Sequence, residues 1–282
     1  MKTNLEASTV LTPFTTSYLF CEKIERDNAD TSEEFRFIFK NSKLLVNQDT
    51  GNPLQEKTIP LEFSLYLGVF NNLHIYAGEA VDEKAPYNAR WEDIRSLFGR
   101  LDDTFLALAG KASQLLLWER THQFCGQCGS KTGKRDNERA KECKSCNLLY
   151  FPKICPVIMV LIQKNDEILL ARGTDFPIAF YSVLAGFVDS GETLEECLRR
   201  EVFEEVGLVV DSLHYFGSQA WPFPNSLMIG FTCQWKSGEI QSNPAEILDA
   251  RWFRKDNLPL LPPDYSLSRI MIEAFRNDGL IS

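Results

Sequence analysis

The C-terminal half of the chain carries short apolar runs and one well-bounded helix. Residues 157–162 are β-branched and apolar, which is typical of a buried strand, and 167–171 resemble them. A helix is predicted over 193–206, because Thr193 and Glu196 have the spacing of a capping box. Further strands near 228–235 and 250–253, and a closing helix over 266–275, are also predicted. This mixture without a regular repeat predicts an α+β fold with a mixed sheet.

The N-terminal part predicts a hairpin followed by a helix. Residues 65–70 and 73–77 have the pattern of two strands joined by a tight turn at Asn71 and Asn72. Asp102 and Asp103 are placed to cap a helix with apolar residues at Leu106, Leu108, Ala109, Ala112, Leu115 and Leu116. No constellation of catalytic residues is visible before about residue 118, so the chemistry is expected in the C-terminal part.

Composition narrows the class of protein. The chain has 282 residues, enough for two domains with a small insert, and 44% of them are hydrophobic, which suits a globular core. A formal net charge of -9 argues against a general nucleic-acid binder or a membrane-surface protein, although a local basic patch stays open. The start of the chain lacks a signal-peptide pattern, and no apolar run is long enough to span a bilayer. A cytoplasmic location without membrane partners is therefore expected.

Four of the eight cysteines have the spacing of a zinc site. Cys125 and Cys128 form one C-x-x-C pair, and Cys143 and Cys146 form a second. Two such turns complete a tetrahedron of thiolates around Zn²⁺, and four sulfur ligands make a closed, structural site with one ion per chain. The alternative is four unrelated thiols.

The segment that spans the two cysteine pairs, residues 125–146, is locally basic. Its six basic residues are Lys131, Lys134, Arg135, Arg139, Lys141 and Lys144, against three acidic residues. Such an excess can meet phosphates or RNA, and the alternative is an ordinary solvated loop.

Glutamates crowd one face of the helix predicted over 193–206. Glu201, Glu204 and Glu205 stand at positions i, i+3 and i+4, where like charges repel and destabilise a helix. A cation bound between them removes this penalty, and Mg²⁺ or Mn²⁺ suits a few carboxylates with room left for waters and phosphates. One glutamate can then serve as general base. An ordinary solvated acidic face is the alternative.

The same segment resembles the Nudix box, G-x5-E-x7-R-E-U-x-E-E-x-G-U, where U is aliphatic. Every fixed position matches: Gly186, Glu192, Arg200, Glu201, Val202, Glu204, Glu205, Gly207 and Leu208. The resemblance implies an α/β/α sandwich with a mixed sheet. It also implies a loop–helix–loop that binds divalent metal and a diphosphate, and hydrolysis of nucleoside diphosphates linked to another group.

A second motif resembles the S-Q-P-W-P-F-P-x-S signature of NADH pyrophosphatases of the NudC type. Its residues are Ser218, Gln219, Ala220, Trp221, Pro222, Phe223, Pro224, Asn225 and Ser226. Ala220 stands where the family usually has Pro. The remaining prolines stiffen a loop that would hold Trp221 or Phe223 as a stacking platform for a base or nicotinamide. The alternative is an aromatic turn that packs in the core.

With this second motif the resemblance covers nearly the whole chain. It implies an N-terminal α+β domain over 1–120, a zinc ribbon over 121–152 and a Nudix hydrolase domain over 153–282. It also implies a homodimer with the active site near the subunit interface.

The resemblance also implies roles for single residues. The divalent cation would be held by Glu201, Glu205, Glu246 and the backbone carbonyl of Ala185, and the catalytic residues would be Glu201, Glu204 and Glu205. Beside 218–225, substrate contacts would come from Glu138, Phe187, Ser268 and the aromatic pair Tyr150 and Phe151. Phe151 stands where the family has Tyr, so stacking is retained and a hydroxyl contact is not.

The implied activity is hydrolysis of NADH, and of NAD, to (reduced) nicotinamide mononucleotide and AMP. Removal of NAD caps from RNA 5′ ends is related chemistry on a larger substrate. Two alternatives stay open, a broader dinucleotide or ADP-ribose pyrophosphatase and a non-catalytic nucleotide sensor, although sensors have lost box carboxylates that are all present here.

Overall fold

The described residues of the computed structural model are 20–22, 33–136, 138–174 and 180–278. They form two compact units. One contains the described residues up to 154 together with 221–225, and the other contains those of 155–220 and 226–278. None of the helices in the described part of the chain has the length and apolar character needed to cross a membrane.

The N-terminal unit is built on a six-stranded sheet in the order β1-β4-β5-β2-β3-β6, with β2 parallel to β5. The strands are β1 (Phe20–Glu22), β2 (Glu34–Lys40), β3 (Lys43–Asn47), β4 (Leu61–Phe70), β5 (Leu73–Ala80) and β6 (Ala89–Glu92). The predicted hairpin is confirmed as β4 and β5. Asn71 and Asn72 both have positive φ in the turn between them, as a two-residue hairpin turn requires.

The predicted helix of this unit is confirmed as α1 (Asp103–Thr121). The Asp102 carboxylate accepts hydrogen bonds from the backbone N–H groups of Thr104 and Phe105, which satisfies two donors at the helix start. Leu106, Leu108 and other apolar residues of α1 pack with the sheet in one buried cluster. A short 3-10 helix, Ile94–Leu97, precedes α1.

The same unit contains the cysteine-rich segment. Its strands β7 (Thr132–Lys134), β8 (Lys141–Cys143) and β9 (Leu149–Tyr150) form a small antiparallel sheet. This sheet contributes few core residues of its own.

The C-terminal unit contains a six-stranded mixed sheet. Its main path is β13-β14-β10-β11-β15, and β12 pairs with β10. The β10–β14 pairing is parallel, whereas β10–β11, β10–β12 and β11–β15 are antiparallel. The elements are β10 (Cys155–Lys164), β11 (Glu167–Gly173), β12 (Leu184–Phe187), α2 (Leu194–Val206), β13 (Val209–Trp221), β14 (Ser226–Ser237), β15 (Ile247–Arg254) and α3 (Leu267–Asp278).

Helices cover both faces of this sheet. Ile158, Val160 and Ile162 of β10 pack in one buried cluster with apolar residues of α2. Met159 and Leu161 point to the other face and pack in a second cluster with α3. Because β10 is buried on both faces, it is a continuous apolar run, as predicted. The α/β/α sandwich with a mixed sheet is confirmed.

Candidate active site

The helix α2 is fixed at both ends by its sequence. Thr193 accepts a hydrogen bond from the backbone N–H of Glu196, whose carboxylate in turn accepts from the backbone N–H of Thr193, so the predicted capping box is present. Gly207 ends the helix with φ 71°, a left-handed conformation that glycine adopts without steric cost. These two caps fix where the glutamates of the last turns stand.

The three glutamates share a face of α2 but lie at different depths. Glu205 is buried, with 7% of its surface exposed. The Glu201 side chain is 13% exposed and that of Glu204 is 55% exposed. Glu205 therefore lies deepest, and Glu204 lies toward solvent.

Arg200 is the counter-ion of this face. Its guanidinium donates to Glu201 at 2.9 Å, to Glu204 at 3.0 Å and to both oxygens of Glu192, at 2.5 and 2.9 Å. A further bond to the backbone carbonyl of Phe187 ties α2 to the end of β12. The hydrogen bonds from Arg200 lower the pKa of Glu192 to about 2, and those from the carboxylates raise the pKa of Arg200. Arg200 and Glu192 thus form a fixed ion pair that holds the loop before α2.

Among the residues that the structure describes, Glu205 has no counter-ion of this kind. Its Oε2 is buried without a hydrogen-bond partner in the described part of the chain. Burial, followed by the charges of Glu201, Glu246 and Glu204, raises the pKa of Glu205 to about 8. Burial also raises the pKa of Glu201, against the opposing effect of Arg200. An unpaired buried carboxylate is costly unless a ligand satisfies it, and several carboxylates around it are the donor set of a hard divalent cation.

In buffer without added divalent cation, replacing Glu205 is expected to alter the pH dependence of stability. The pKa of Glu205 is about 8 in the folded chain against an ordinary value of 4.5, so between these values the folded state binds more protons than the unfolded state. This carboxyl therefore lowers stability as pH rises from 4.5 to 8, by at most about 1.4 kcal/mol per pH unit.

Thermal melting curves of wild type and Glu205→Gln test this. The Tm advantage of the variant is expected to grow from near zero at the acidic end to a plateau above pH 8. A difference that does not vary with pH would contradict the burial of an ionisable Glu205.

Gly186 allows Glu201 to approach the strand β12. A Cβ at position 186 would lie 2.0 Å from Cδ of Glu201, which is far inside contact distance. Gly186 pairs with Ile158 in the β10–β12 ladder, and the neighbouring Ala185 pairs with Met159. The backbone at 185–186 is thus held firmly against the glutamate face, as expected for the loop that starts the box.

Gly186→Ala is expected to displace Glu201 and to lower kcat of the predicted NADH hydrolysis by about 10²-fold, because a shift of about 1 Å at a catalytic group has that cost. The control is Gly133→Ala, where a Cβ would meet nothing within 4 Å. Steady-state kinetics of both variants would reveal the difference. Equal rates for the two would show that the position of Glu201 does not matter.

Glu246 lies in the turn before β15 and is exposed. Its charge raises the pKa of both Glu201 and Glu205, so it belongs to the same electrostatic cluster. In the described chain, the four cysteines are the only group of three or more His, Cys, Asp or Glu ligand atoms that lie within 4.8 Å of one another. The carboxylate oxygens of the acidic cluster thus lie farther apart than the four sulfur atoms. The assignment of Glu201, Glu205 and Glu246 as cation ligands stays a prediction.

The aromatic residues of the second motif have partners in the N-terminal unit. Trp221 stacks on Phe98 with ring centroids 6.3 Å apart and 23° between the planes, and Phe223 meets Trp221 edge-on at 5.2 Å. The Arg95 guanidinium lies 4.3 Å from the centre of the Phe223 ring. Both side chains pack against the core of that unit, which favours the aromatic-turn alternative for them.

The other residues of the second motif, 218–226, do not form a single loop. Ser218 to Trp221 continue β13, so only the residues after Trp221 form the turn. Gln219 is buried, and its amide donates to the Tyr265 carbonyl at 2.9 Å and accepts from the Leu267 N–H at 2.8 Å. Gln219 therefore caps α3. Of the other members, Ser218, Ala220 and Pro224 are exposed, Asn225 is half-buried and Pro222 is buried.

The other candidate substrate residues are also varied. Ser268 is buried and its hydroxyl lies 2.8 Å from that of Ser182, so it joins α3 to the segment before β12. Glu138 makes an ion pair with Arg135 at 3.1 Å. Phe187 and Phe151 are 62% and 50% exposed, which leaves their rings available for stacking within their own units. Substrate contact by these residues stays a prediction.

The four ribbon cysteines converge as the spacing predicted. The Sγ atoms of Cys125 and Cys146 are 3.5 Å apart, and those of Cys128 and Cys143 are also 3.5 Å apart. The resemblance implies that Tyr150 flanks a base, and its contact with the cysteines has no signal in the sequence: the Tyr150 hydroxyl lies 3.0 Å from Sγ of Cys125 and lowers the pKa of that thiol to about 6. A lowered thiol pKa favours the thiolate that Zn²⁺ requires.

Three domain families match the chain in succession. The NADH pyrophosphatase-like rudimentary NUDIX domain matches residues 33–118, the NADH pyrophosphatase zinc ribbon domain matches 120–151, and the NUDIX domain matches 154–275. A protein of Stutzerimonas stutzeri named NAD-capped RNA hydrolase NudC is 40% identical over 240 residues, which are 85% of this chain and 86% of that protein. A protein of the same name from Deinococcus radiodurans is 39% identical over 241 residues, 84% of this chain and 85% of that protein.

Proposed function

The chain belongs to the Nudix hydrolase family, in the zinc-ribbon branch that includes the NAD-capped RNA hydrolases NudC, and from this we propose that it hydrolyses the pyrophosphate of NADH and NAD. The products are nicotinamide mononucleotide, reduced in the case of NADH, and AMP. The same chemistry removes the NAD cap from an RNA 5′ end. The observation that carries the proposal is Glu205, whose buried Oε2 has no hydrogen-bond partner among the described residues and whose pKa is raised by burial and by Glu201, Glu246 and Glu204.

Glu201, Glu205 and Glu246, with the carbonyl of Ala185, would hold Mg²⁺ or Mn²⁺. When bound, the cation supplies charge neutralisation for the diphosphate and a more acidic water. The electrostatic coupling between these glutamates and the approach of Glu201 to residues 185–186 support this ligand set. Hard oxygen donors favour these two ions over softer metals.

The reaction is an attack of water on one phosphorus of the anhydride. A P–O bond forms to the water oxygen, the bridging P–O bond breaks, and the bridging oxygen leaves with the other phosphate. The proton of the water passes to Glu201, Glu204 or Glu205, each of which lies on the same face of α2. Arg200 and Glu192 hold the loop and helix in register but are not proton carriers, because their ion pair keeps both charged.

Substrate recognition is proposed for residues 218–225, Glu138, Phe151, Phe187 and Ser268. The exposed rings of Phe187 and Phe151 suit stacking on a planar base. Gln219 and Ser268 act through the position of α3, and Trp221 and Phe223 through the turn they anchor.

The proposal also includes the domain bounds, the oligomeric state and the cellular location. The division into domains 1–120, 121–152 and 153–282 is supported by the three family matches. The homodimer and the cytoplasmic location rest on the resemblance and on composition.

Mass-spectrometric product analysis tests the function. The purified chain is incubated with NADH, NAD, ADP-ribose and NAD-capped RNA, each with Mg²⁺ or Mn²⁺, and kcat/KM is compared. Mononucleotide and AMP from NADH, and 5′-monophosphate RNA from capped RNA, are expected. Higher kcat/KM on ADP-ribose would favour the broader pyrophosphatase, and no turnover of any substrate would favour a sensor.

A further inference from the structure

A cavity of about 520 Å³ lies in the N-terminal unit, between the end of α1 and the first strand of the zinc ribbon. Its lining includes Arg120 from α1, Lys131, Lys134 and Lys141 from the ribbon, and Phe63 and Glu62 from β4. The volume lies within the range of small-ligand sites. With Glu119 included, four basic and two acidic side chains line the cavity. It is therefore locally positive, although the chain as a whole carries a charge of -9.

Most of these charges already have partners. Lys141 is buried and makes an ion pair with Glu119 at 2.9 Å, so it is part of the cavity floor. Glu62 pairs with Lys40 at 3.0 Å, and Arg120 lies 3.5 Å from Glu79. These pairs define the shape of the cavity and contribute little net charge to it.

Lys131 and Lys134 differ from these paired residues in their exposure and in their contacts. Both are exposed, and neither has an acidic partner in the part of the chain that the structure describes. The other four basic residues of 125–146 have partners: Arg135 contacts Glu138, Arg139 donates to the carbonyls of Tyr66 and Leu67, Lys141 contacts Glu119 and Lys144 contacts Glu142. Among the described residues of this segment, the basic excess therefore reduces to Lys131 and Lys134, which lie at one cavity.

The spacing of the two lysines indicates what they bind. Lys134 ends β7, and Lys131 precedes it in a bridge with Phe124, so the backbone between them is extended. Three residues of extended chain separate their Cα atoms by roughly 10 Å. Residues three apart on extended backbone point away from one another, so the two ammonium groups do not converge on a single phosphate group.

We propose that this cavity binds the phosphate backbone of the RNA that follows the NAD cap, with Lys131 and Lys134 as its cationic contacts. The inference rests on the proposed function, since it concerns a part of a capped RNA that NADH lacks. Each lysine neutralises one phosphate and releases counterions, so the contribution is independent of sequence and falls with salt.

The test compares wild type with Lys131→Gln/Lys134→Gln in the full-length chain. The substrates are NADH and a single-stranded RNA of about 20 nucleotides with a 5′ NAD cap, longer than common single-strand sites. kcat/KM is measured between about 50 and 200 mM KCl. NADH kinetics are expected to stay unchanged, whereas kcat/KM for the RNA falls about tenfold at low salt. The slope of log kcat/KM against log salt becomes shallower by about 1.4, or 0.7 for each phosphate.

Two further variants sharpen the result. Lys144→Gln, in the same ribbon but outside the cavity, is the matched control and should leave the RNA slope unchanged. Glu62→Gln removes a negative charge from the cavity and should strengthen RNA binding. Retention of one zinc per chain in each variant shows that the ribbon is folded.

The outcomes separate the two claims. If wild type hydrolyses NADH and capped RNA, and the double variant keeps the wild-type RNA rate and salt slope, the inference is wrong and the proposed function stands. If wild type hydrolyses neither, the proposed function fails. A free nucleotide is the other possible source of phosphate, and calorimetry with AMP tests it. If the double variant lost AMP affinity and RNA affinity equally, the cavity would be assigned to a free nucleotide and the RNA assignment would be overturned.

Discussion

Glu205→Gln is expected to lower kcat for NADH hydrolysis by about 10³-fold or more while the protein stays folded. The amide keeps the size of the side chain but removes the charge that would bind a cation and accept a proton. Stability should not fall, because Oε2 of Glu205 is buried without a partner in the described part of the chain and the carboxylate is repelled by Glu201 and Glu246. The measurement is kcat at saturating Mg²⁺ or Mn²⁺, beside Tm.

Glu195→Gln is the matched control. Glu195 is an exposed glutamate in the first turn of the same helix, so its replacement removes the same charge away from the glutamate face. Its kcat should stay within about twofold of wild type, since a surface substitution of this kind has little effect. If Glu205→Gln kept the wild-type rate as well, the metal assignment on α2 would be wrong.

Cys143→Ser is expected to release the ribbon zinc and to unfold the ribbon. Cys143 is fully buried and its Sγ lies 3.5 Å from that of Cys128. The three short strands around it contain too few core residues to fold without the ion, whose binding in small zinc domains contributes roughly 10–16 kcal/mol. Zinc content by mass spectrometry should fall well below one per chain, and limited proteolysis should cut within residues 121–152.

Cys233→Ser provides the comparison for a buried cysteine outside the quartet. Cys233 is 2% exposed in the core beneath α2, so serine there leaves the zinc in place and only lowers Tm. Burial raises the pKa of Cys233 to about 12, as expected of a thiol that acts as a small apolar side chain. One zinc per chain in Cys143→Ser would contradict the four-thiolate site.

Features encoded by neighbours in sequence were predicted well. The capping box of α2, the Asn71–Asn72 turn and the Asp102 cap each depend on residues a few positions apart, and each is present. The apolar run of β10 was visible because the strand is buried on both faces. The convergence of the four cysteines was likewise predictable, because the two residues of each C-x-x-C pair lie only three positions apart.

Features that depend on distant pairing were not predicted. The strands β2, β3 and β6 form a sheet through contacts far apart in sequence, including the parallel pairing of β2 with β5, and their own patterns are weak. The strand β13 is 13 residues long with mostly exposed or half-buried positions, so its sequence pattern favours a loop at the start of the second motif, where the structure has a strand.

In the candidate site, too, local features could be predicted from the sequence and tertiary contacts could not. Glu201, Glu204 and Glu205 follow from helical spacing, whereas the depth of Glu205 and its coupling to Glu246 arise only when β15 is brought beside α2. The amide of Gln219 on α3 and the packing of Trp221 on Phe98 are tertiary contacts without a local signal. Motif matching could therefore identify the residues but not distinguish substrate contact from support.

The most direct test of the account is a crystal structure soaked with Mn²⁺ and a non-hydrolysable NADH analogue. Anomalous scattering should place Mn²⁺ about 2.1 Å from carboxylate oxygens of Glu201 and Glu205, with the diphosphate oxygens completing its coordination. A bound nucleotide beside metal-free glutamates on α2 would contradict the claim that this helix face exists to hold cations for phosphoanhydride hydrolysis.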